Sequence, residues 1–417
     1  MPNLDLPWIR SQFPSLALEV AGKPAAYFDG PGGTQTPQGV IDAISGYLMT
    51  SNANTHGAFL TGERTEQMLA EAHAAAADLL GCDAREVVFG QNMTTLTFAV
   101  SRSIGRELKQ GDEIIVTQLD HDANVAPWRA LEERGVVVRT ADIHLEDCTL
   151  NMEHLLSLLN ERTRLVAVGY ASNAVGTIND VAAITRAAHD AGAWCFVDAV
   201  HYAPHGSIDV REMDCDFLAC SAYKFFGPHV GLLYGKAEHL ENLRPYKVRP
   251  SPNGIPDRWE TGTQNHEGLA GVIAAIDYLA DVGRRHSSGR TESRREALVA
   301  AMNATQSYER ELSEKLVPAL LNVPGLTFYG MRDRRQFERR TPTVSIRMEG
   351  ATPRELAVFL GRRGIFAWDG NYYALNVAER LGVEEQGGMV RIGLVHYNTA
   401  EEIDRLMGAL AEFSRQG

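Results

Sequence analysis

Seven short apolar runs recur between residues 85 and 235, and helical stretches fill the gaps between them. The runs are 86–90 (EVVFG), 112–118 (DEIIVTQ), 136–142 (VVVRTAD), 164–172 (RLVAVGYAS), 193–200 (AWCFVDAV), 216–224 (DFLACSAYK) and 230–236 (VGLLYGK). They are short and continuously apolar, the pattern of a strand covered on both faces. Between them lie TTLTFAVSRSIGREL, NVAPWRALEERG, NMEHLLSLLNE and DVAAITRAAHDAG. Two of these end at Gly135 and Gly192, where a left-handed helix C-cap favours glycine. Strand–helix alternation makes βαβ units, so the expected fold class is α/β, with a mainly parallel seven-stranded sheet between helices.

The polar segment 283–296 (GRRHSSGRTESRRE) reads as a surface loop or hinge after a long helix. Beyond it, AMNATQSYERELSEKLVPALLN is helical. VSIRMEG, IFAWDG and VRIGLVH read as strands, and AEEIDRLMGALAEFSRQ as a closing helix. The chain has 417 residues, enough for two domains. The expected division is an N-terminal segment 1–20 packing with the smaller domain, a large domain over 21–283, and a small α+β C-terminal domain over 284–417.

The formal net charge of −13 argues against nucleic acid or an anionic membrane as partner. No run of about 18 apolar residues offers a membrane span, and the N-terminus has no basic-then-apolar leader, so a cytoplasmic location is expected. The five cysteines (Cys82, Cys148, Cys195, Cys215 and Cys220) include no C-x-x-C pair. They read as isolated thiols, with no disulfide framework and no metal site.

Two residues carry the chemistry. Asp198 closes one apolar strand run and Lys224 closes another. Ligands of open α/β sheets bind at those strand ends. Alone, Asp198 is as readily a turn carboxylate, and Lys224 a lysine that extends to solvent. Together they meet the needs of pyridoxal 5′-phosphate (PLP): a lysine for its aldehyde and a carboxylate for its pyridine nitrogen. Burial among apolar residues also lowers a lysine's pKa and makes it nucleophilic. Asn92-Met93-Thr94-Thr95 follows a strand and opens a helix, a ready phosphate site. Ser221 and Tyr223 flank the lysine as further donors, and His121, just after a strand, is placed to cover the ring.

The order of these segments resembles the class V aminotransferase family, in its cysteine desulfurase-like branch. The matching stretches are YFDGPGGTQTPQGVIDA (27–43), QLDHDANVAPW (118–128), SNAVGT (172–177), VDAVH (197–201), SAYKFFGPHVGLLY (221–234), WETGTQN (259–265) and VRIGLVHYNTAEEIDRL (390–406). They span nearly the whole chain. The resemblance implies a PLP-dependent enzyme of the type I transferase fold. It makes Lys224 the Schiff-base lysine, Asp198 the partner of the pyridine nitrogen, and His121 the imidazole stacked on the ring, which also moves protons. It puts Asn173 near the phenolic oxygen, and His201 where the family usually has glutamine. Met93, Thr94, Ser221 and Tyr223 fall at phosphate-contact positions, with Tyr223 where histidine is common. Thr263 matches a threonine that reaches the phosphate across a dimer interface, which implies a homodimer sharing its active sites. Arg391 matches the arginine that grips the substrate carboxylate, which its rigid fork of donors suits.

One part of the pattern is broken. A cysteine desulfurase carries a nucleophilic cysteine on the loop before VRIGLVHYNT. Here that loop reads GIFAWDGNYYALNVAERLG (364–382), with Tyr372 or Tyr373 at the cysteine position. A phenol cannot hold a persulfide. Trp368, Asp369, Asn371, Tyr372 and Tyr373 instead read either as packing groups or as the walls of a substrate pocket. The expected reaction is therefore β-elimination from a cysteine-derived or other β-substituted amino acid, of the carbon–sulfur lyase type. Transamination follows as the alternative, then epimerisation or decarboxylation. A non-catalytic scaffold is disfavoured by the intact Lys224, Asp198 and Arg391.

Overall fold

A computed structural model of the chain describes residues 4–415. The first three residues of the segment 1–20 and Gln416, the last residue of the expected closing helix, lie outside that range.

All seven expected strands form, and they join in one sheet: β1 (Val87–Gly90), β2 (Glu113–Thr117), β3 (Val137–Ala141), β4 (Thr163–Gly169), β5 (Trp194–Asp198), β6 (Phe217–Ser221) and β7 (Gly231–Gly235). Their order across the sheet is β1-β7-β6-β5-β4-β2-β3. Strand β7 runs antiparallel to both of its neighbours, and the other pairings are parallel. The continuous apolar runs have a direct cause. Alternate side chains enter two different cores: Val166, Val168, Cys195 and Val197 on one face, Leu165, Ala167 and Phe196 on the other. With both faces covered, no polar alternation survives.

The helix expected over 124–135 breaks into a short α-turn, Ala126–Arg129, and a tighter turn, Ala130–Arg134, before Gly135 turns left-handed at φ 81°. Within the segment 283–296, residues 287–293 form the expected loop, and helices occupy the two ends. Helix α1 (Met93–Ile104) opens the sheet region; much later α2 (His266–His286) runs into this segment and α3 (Arg294–Leu321) starts within it. The restart has two causes, one local and one distant in sequence. Ser293 and Glu296 form a capping box, and Arg294 meets Asp78 at 2.7 Å and Glu71 at 2.6 Å.

A second, four-stranded sheet holds β8 (Leu326–Tyr329), β9 (Thr343–Met348), β10 (Trp368–Gly370) and β11 (Met389–Gly393) in the order β8-β9-β11-β10. The single strand expected at IFAWDG divides. Ile365–Phe366 pairs with Ala26–Tyr27, and β10 pairs with β11. The closing helix α4 (Ala400–Phe413) packs over this sheet.

Packing does not change at the expected boundaries. Ala26 and Phe28 belong to the smaller core, although 21–283 is the span expected to form the large domain. Helix α3 is shared: Ala297 to Ala304 pack in the larger core, and Leu312 to Leu320 in the smaller. The N-terminal segment bridges the two. Phe13 meets Phe226 and Tyr278 edge-on, while Arg10 pairs with Glu402 of α4 at 2.9 Å.

Candidate active site

The C-terminal ends of the parallel strands converge on one cavity of about 980 Å³. Among its lining are Met93, Thr94, His121, Asn173, Asp198, His201, Ser221, Tyr223, Lys224, Asn371, Tyr372, Tyr373 and Arg391. Thr263 alone of the expected site residues lies outside it, on an exposed turn.

Lys224 follows β6 in a single tight turn, half-buried, with Nζ donating to the Pro31 carbonyl. Burial lowers its ammonium pKa to about 7; Arg391 adds to the lowering and Asp198 opposes it. Asp198 ends β5 and accepts from the Val200 N–H at 2.9 Å. Burial raises its carboxyl pKa to about 6. Deeper still, Asp120 accepts from the Thr117 hydroxyl at 2.9 Å and leaves Oδ1 without a partner among the described residues. Burial, and secondarily the Asp198 charge, raise its carboxyl to about 7. Gly169 makes room for it, since a Cβ there would sit 2.6 Å from Asp120 Oδ1.

His121 Nδ1 accepts the Ala123 N–H at 3.0 Å, so the neutral ring carries its proton on Nε2. Burial, then Lys224 and Arg391, lower its pKa to about 4, and the ring is neutral at pH 7. One of its faces is stacked on Tyr373 at 5.6 Å and 20°, which leaves the other for a cofactor ring. His201 is buried and bonded through Nε2 to the Thr341 hydroxyl at 3.1 Å.

The end of the cavity expected to receive the phosphate is the start of α1. Asn92 caps it, accepting from Thr95 N–H at 2.9 Å, and the Met93 N–H donates to Ser221 Oγ at 3.0 Å. Gly231 on β7 lets that turn approach: a Cβ there would lie 2.4 Å from the Asn92 carbonyl carbon. Tyr223 stacks on His229 at 5.0 Å.

The other wall comes from the second sheet. Arg391 lies on β11, an interior strand, is 4% exposed and donates to the Asn173 carbonyl at 2.9 Å. Its guanidinium lies 4.3 Å over the Tyr372 ring, and Nε has no partner among the described residues. Asn173 donates one amide N–H to the Tyr372 carbonyl at 3.0 Å. Tyr372 and Tyr373 are both left-handed, at φ 57° and 58°. Asn371 helps hold them, accepting the Tyr373 N–H at 3.0 Å.

This set fits PLP. One cavity offers an amine of lowered pKa, a carboxylate, an imidazole face and a helix N-terminus, and Asn173 Oδ1 and Arg391 Nε are buried there without partners. Sequence reasoning missed Asp120, His229, Phe98 and Gln91 as lining residues. Asp120 was within reach, since it stands beside His121 at the end of a strand run. No cluster of three or more potential metal ligands occurs among the described residues, and no helix there is long and apolar enough to cross a membrane.

The family model described as Aminotransferase class-V matches residues 26–406. A cysteine desulfurase of Pectobacterium atrosepticum is 34% identical over 98% of this chain and 97% of its own length. An uncharacterized protein of Mycobacterium tuberculosis is 32% identical over 98% of each chain. Among solved structures, the apo cysteine desulfurase of Thermococcus onnurineus NA1 superposes with a TM-score of 0.87 at 25% identity, over 100% of both chains. The cysteine desulfurase CsdA of Escherichia coli gives 0.82 at 27% identity, over 100% of this chain and 99% of its own. The fold is therefore the type I fold of PLP-dependent transferases expected from the sequence.

Proposed function

The chain belongs to the class-V aminotransferase family, whose members are PLP-dependent enzymes, and on that footing we propose that it eliminates the β-substituent of a cysteine-derived or other β-substituted amino acid. One observation carries this reading. The cavity wall that would offer a sulfur-accepting thiol offers Tyr372 and Tyr373, and no cysteine lines the cavity among the described residues. Cys220, next to Ser221, is fully buried inside β6, where burial and then the Asp198 charge push its thiol far above its ordinary pKa. Sulfur transfer needs an accessible thiolate; elimination needs none.

When bound, PLP supplies an electron sink for the bond broken at the substrate Cα. Lys224 would hold its aldehyde, Asp198 its ring nitrogen, and the start of α1 with Ser221 and Tyr223 its phosphate. Near neutral pH much of Lys224 Nζ is free amine, able to take the Cα proton. Arg391 orients the substrate carboxylate. His121 carries on Nε2 a proton it can pass to the departing sulfur. The net change converts an S-substituted cysteine and water into a thiol, pyruvate and ammonium.

Thr263 supports a homodimer in which each protomer completes its partner's phosphate site, because it is exposed and outside its own chain's cavity. Leu48, Met49, Phe59 and Leu60, all large and exposed, add apolar surface for such an interface.

The names of the relatives favour a second reading, release of sulfur from cysteine onto a protein thiol, and the family's description favours a third, transamination. Incubating the holoenzyme with L-cysteine separates all three. Pyruvate, ammonium and sulfide in equal amounts support elimination. Alanine with protein-bound sulfur refutes it in favour of desulfuration. Keto acid formed without ammonium, as the cofactor converts to its amine form, refutes it in favour of transamination.

A further inference from the structure

Lys224 and Arg391 are the only lysine or arginine lining the cavity among the described residues. The proposed reaction occupies both, one at the cofactor and one at the substrate's α-carboxylate. This chain's own lining leaves no further such cation for a second anionic group. Asp122 and Asp369 line the same space, and Asp369 is tied to Arg354 at 3.1 Å. An anionic side chain would meet carboxylates there and gain no partner of opposite charge.

The outer wall is aromatic instead. Trp368, Tyr372 and Tyr373 line it. Trp368 is 54% exposed and Tyr373 74%, so two large rings stand open to solvent where the cavity ends. Their positions are set in advance. Asp122 N–H donates to the Tyr373 carbonyl at 2.7 Å, and Asn173 holds the Tyr372 carbonyl at 3.0 Å. Consecutive left-handed tyrosines persist only where the surroundings hold them.

We infer that this wall is a subsite for an uncharged aromatic β-substituent, so that the substrates are monocarboxylic S-aryl or S-arylalkyl conjugates of cysteine rather than acids with an anionic side chain. The reaction on these substrates rests on the elimination reading above; the preference in binding rests on the cavity lining alone.

The test keeps the two apart. Binding of 3-phenylpropanoate, butanoate and glutarate to the holoenzyme is measured by calorimetry, since none can react. Pyruvate release is measured separately with S-benzyl-L-cysteine and S-carboxymethyl-L-cysteine, whose elimination yields thioglycolate. The aromatic acid is expected to bind about 10-fold more tightly than butanoate, and glutarate no more tightly than butanoate. Tyr373→Ala and Trp368→Ala should each cut the preference for the aromatic acid about 3- to 10-fold, read as the ratio of its affinity to that of butanoate. Both side chains are exposed, and thermal melts check that the variants fold. The subsite is overturned if the aromatic acid binds no better than butanoate, if glutarate binds best, or if neither variant moves the ratio. Aromatic preference with no pyruvate from S-benzyl-L-cysteine upholds the subsite and overturns elimination. Pyruvate and thioglycolate from S-carboxymethyl-L-cysteine, with no aromatic preference in binding, do the reverse.

Discussion

Replacing Arg391 by Gln removes the cavity's guanidinium and leaves a neutral polar side chain. Arg391 is 4% exposed and forms no ion pair among the described residues. Burial lowers its pKa to about 10, so it stays charged at neutral pH, and holding that charge costs about 3 kcal/mol. Its hydrogen bond to the Asn173 carbonyl and the Tyr372 ring offset part of this cost. A substrate carboxylate held by two parallel N–H bonds offsets the rest. Truncating one partner of such a buried pair costs about 2–5 kcal/mol. The expected fall in kcat/KM is therefore between about 30- and 5000-fold. R391K keeps the charge without the fork and should fall between R391Q and the parent. Because R391Q removes an unpaired buried charge, the apoprotein's melting temperature should hold or rise. The assay is pyruvate release from an S-substituted cysteine, with cofactor content and melting temperature measured on the same samples. A loss below about 5-fold in a folded, cofactor-loaded R391Q refutes the assignment. Equal weakening of an amine inhibitor that lacks the carboxylate does so as well.

Lys224→Ala should abolish activity and the absorbance of covalently held cofactor; a variant that keeps that band removes Lys224 from its role. Asp198 and Asp120 have carboxyl pKa values raised to about 6 and about 7 by burial, against an ordinary 3.8. The folded apoprotein thus binds their protons more tightly than the unfolded chain, and it should lose stability as pH rises from about 4 to about 7. Denaturant titrations across that range on the parent and on Asp198→Asn check this, and the variant should show the shallower decline. Gly231→Ala pushes a methyl against the Asn92 carbonyl carbon, 2.4 Å away, and should cost about 1–3 kcal/mol in urea unfolding while weakening cofactor binding at the α1 start.

What the sequence alone determined is what local pattern encodes. Apolar runs marked all seven strands of the large sheet; six are buried on both faces and have no polar side to show, while the edge strand β3 is half-exposed. Asp198 and Lys224 were legible because each ends such a run, and Arg391 and Asn173 because the motifs around them resemble a family pattern. Helix boundaries near 283–296 were legible only in part: the break after the long helix was readable, and Ser293 and Glu296 make a local capping box, but the pairing of Arg294 with Asp78 and Glu71 joins residues far apart in the chain. Nor was the placement of Ala26 and Phe28, which follows from pairing with residues 365–366. The site's finer chemistry was decided only by the tertiary structure. Tyr373 covers one face of His121, Tyr372 lies under Arg391, and Asp120 keeps an unpartnered oxygen within electrostatic reach of Asp198. Each of these contacts joins segments far apart in the chain, or depends on burial that neither segment supplies alone. Sequence could state that the expected cysteine is replaced by tyrosine; only the folded chain turns those tyrosines into a fixed aromatic wall in the cavity that Lys224 lines.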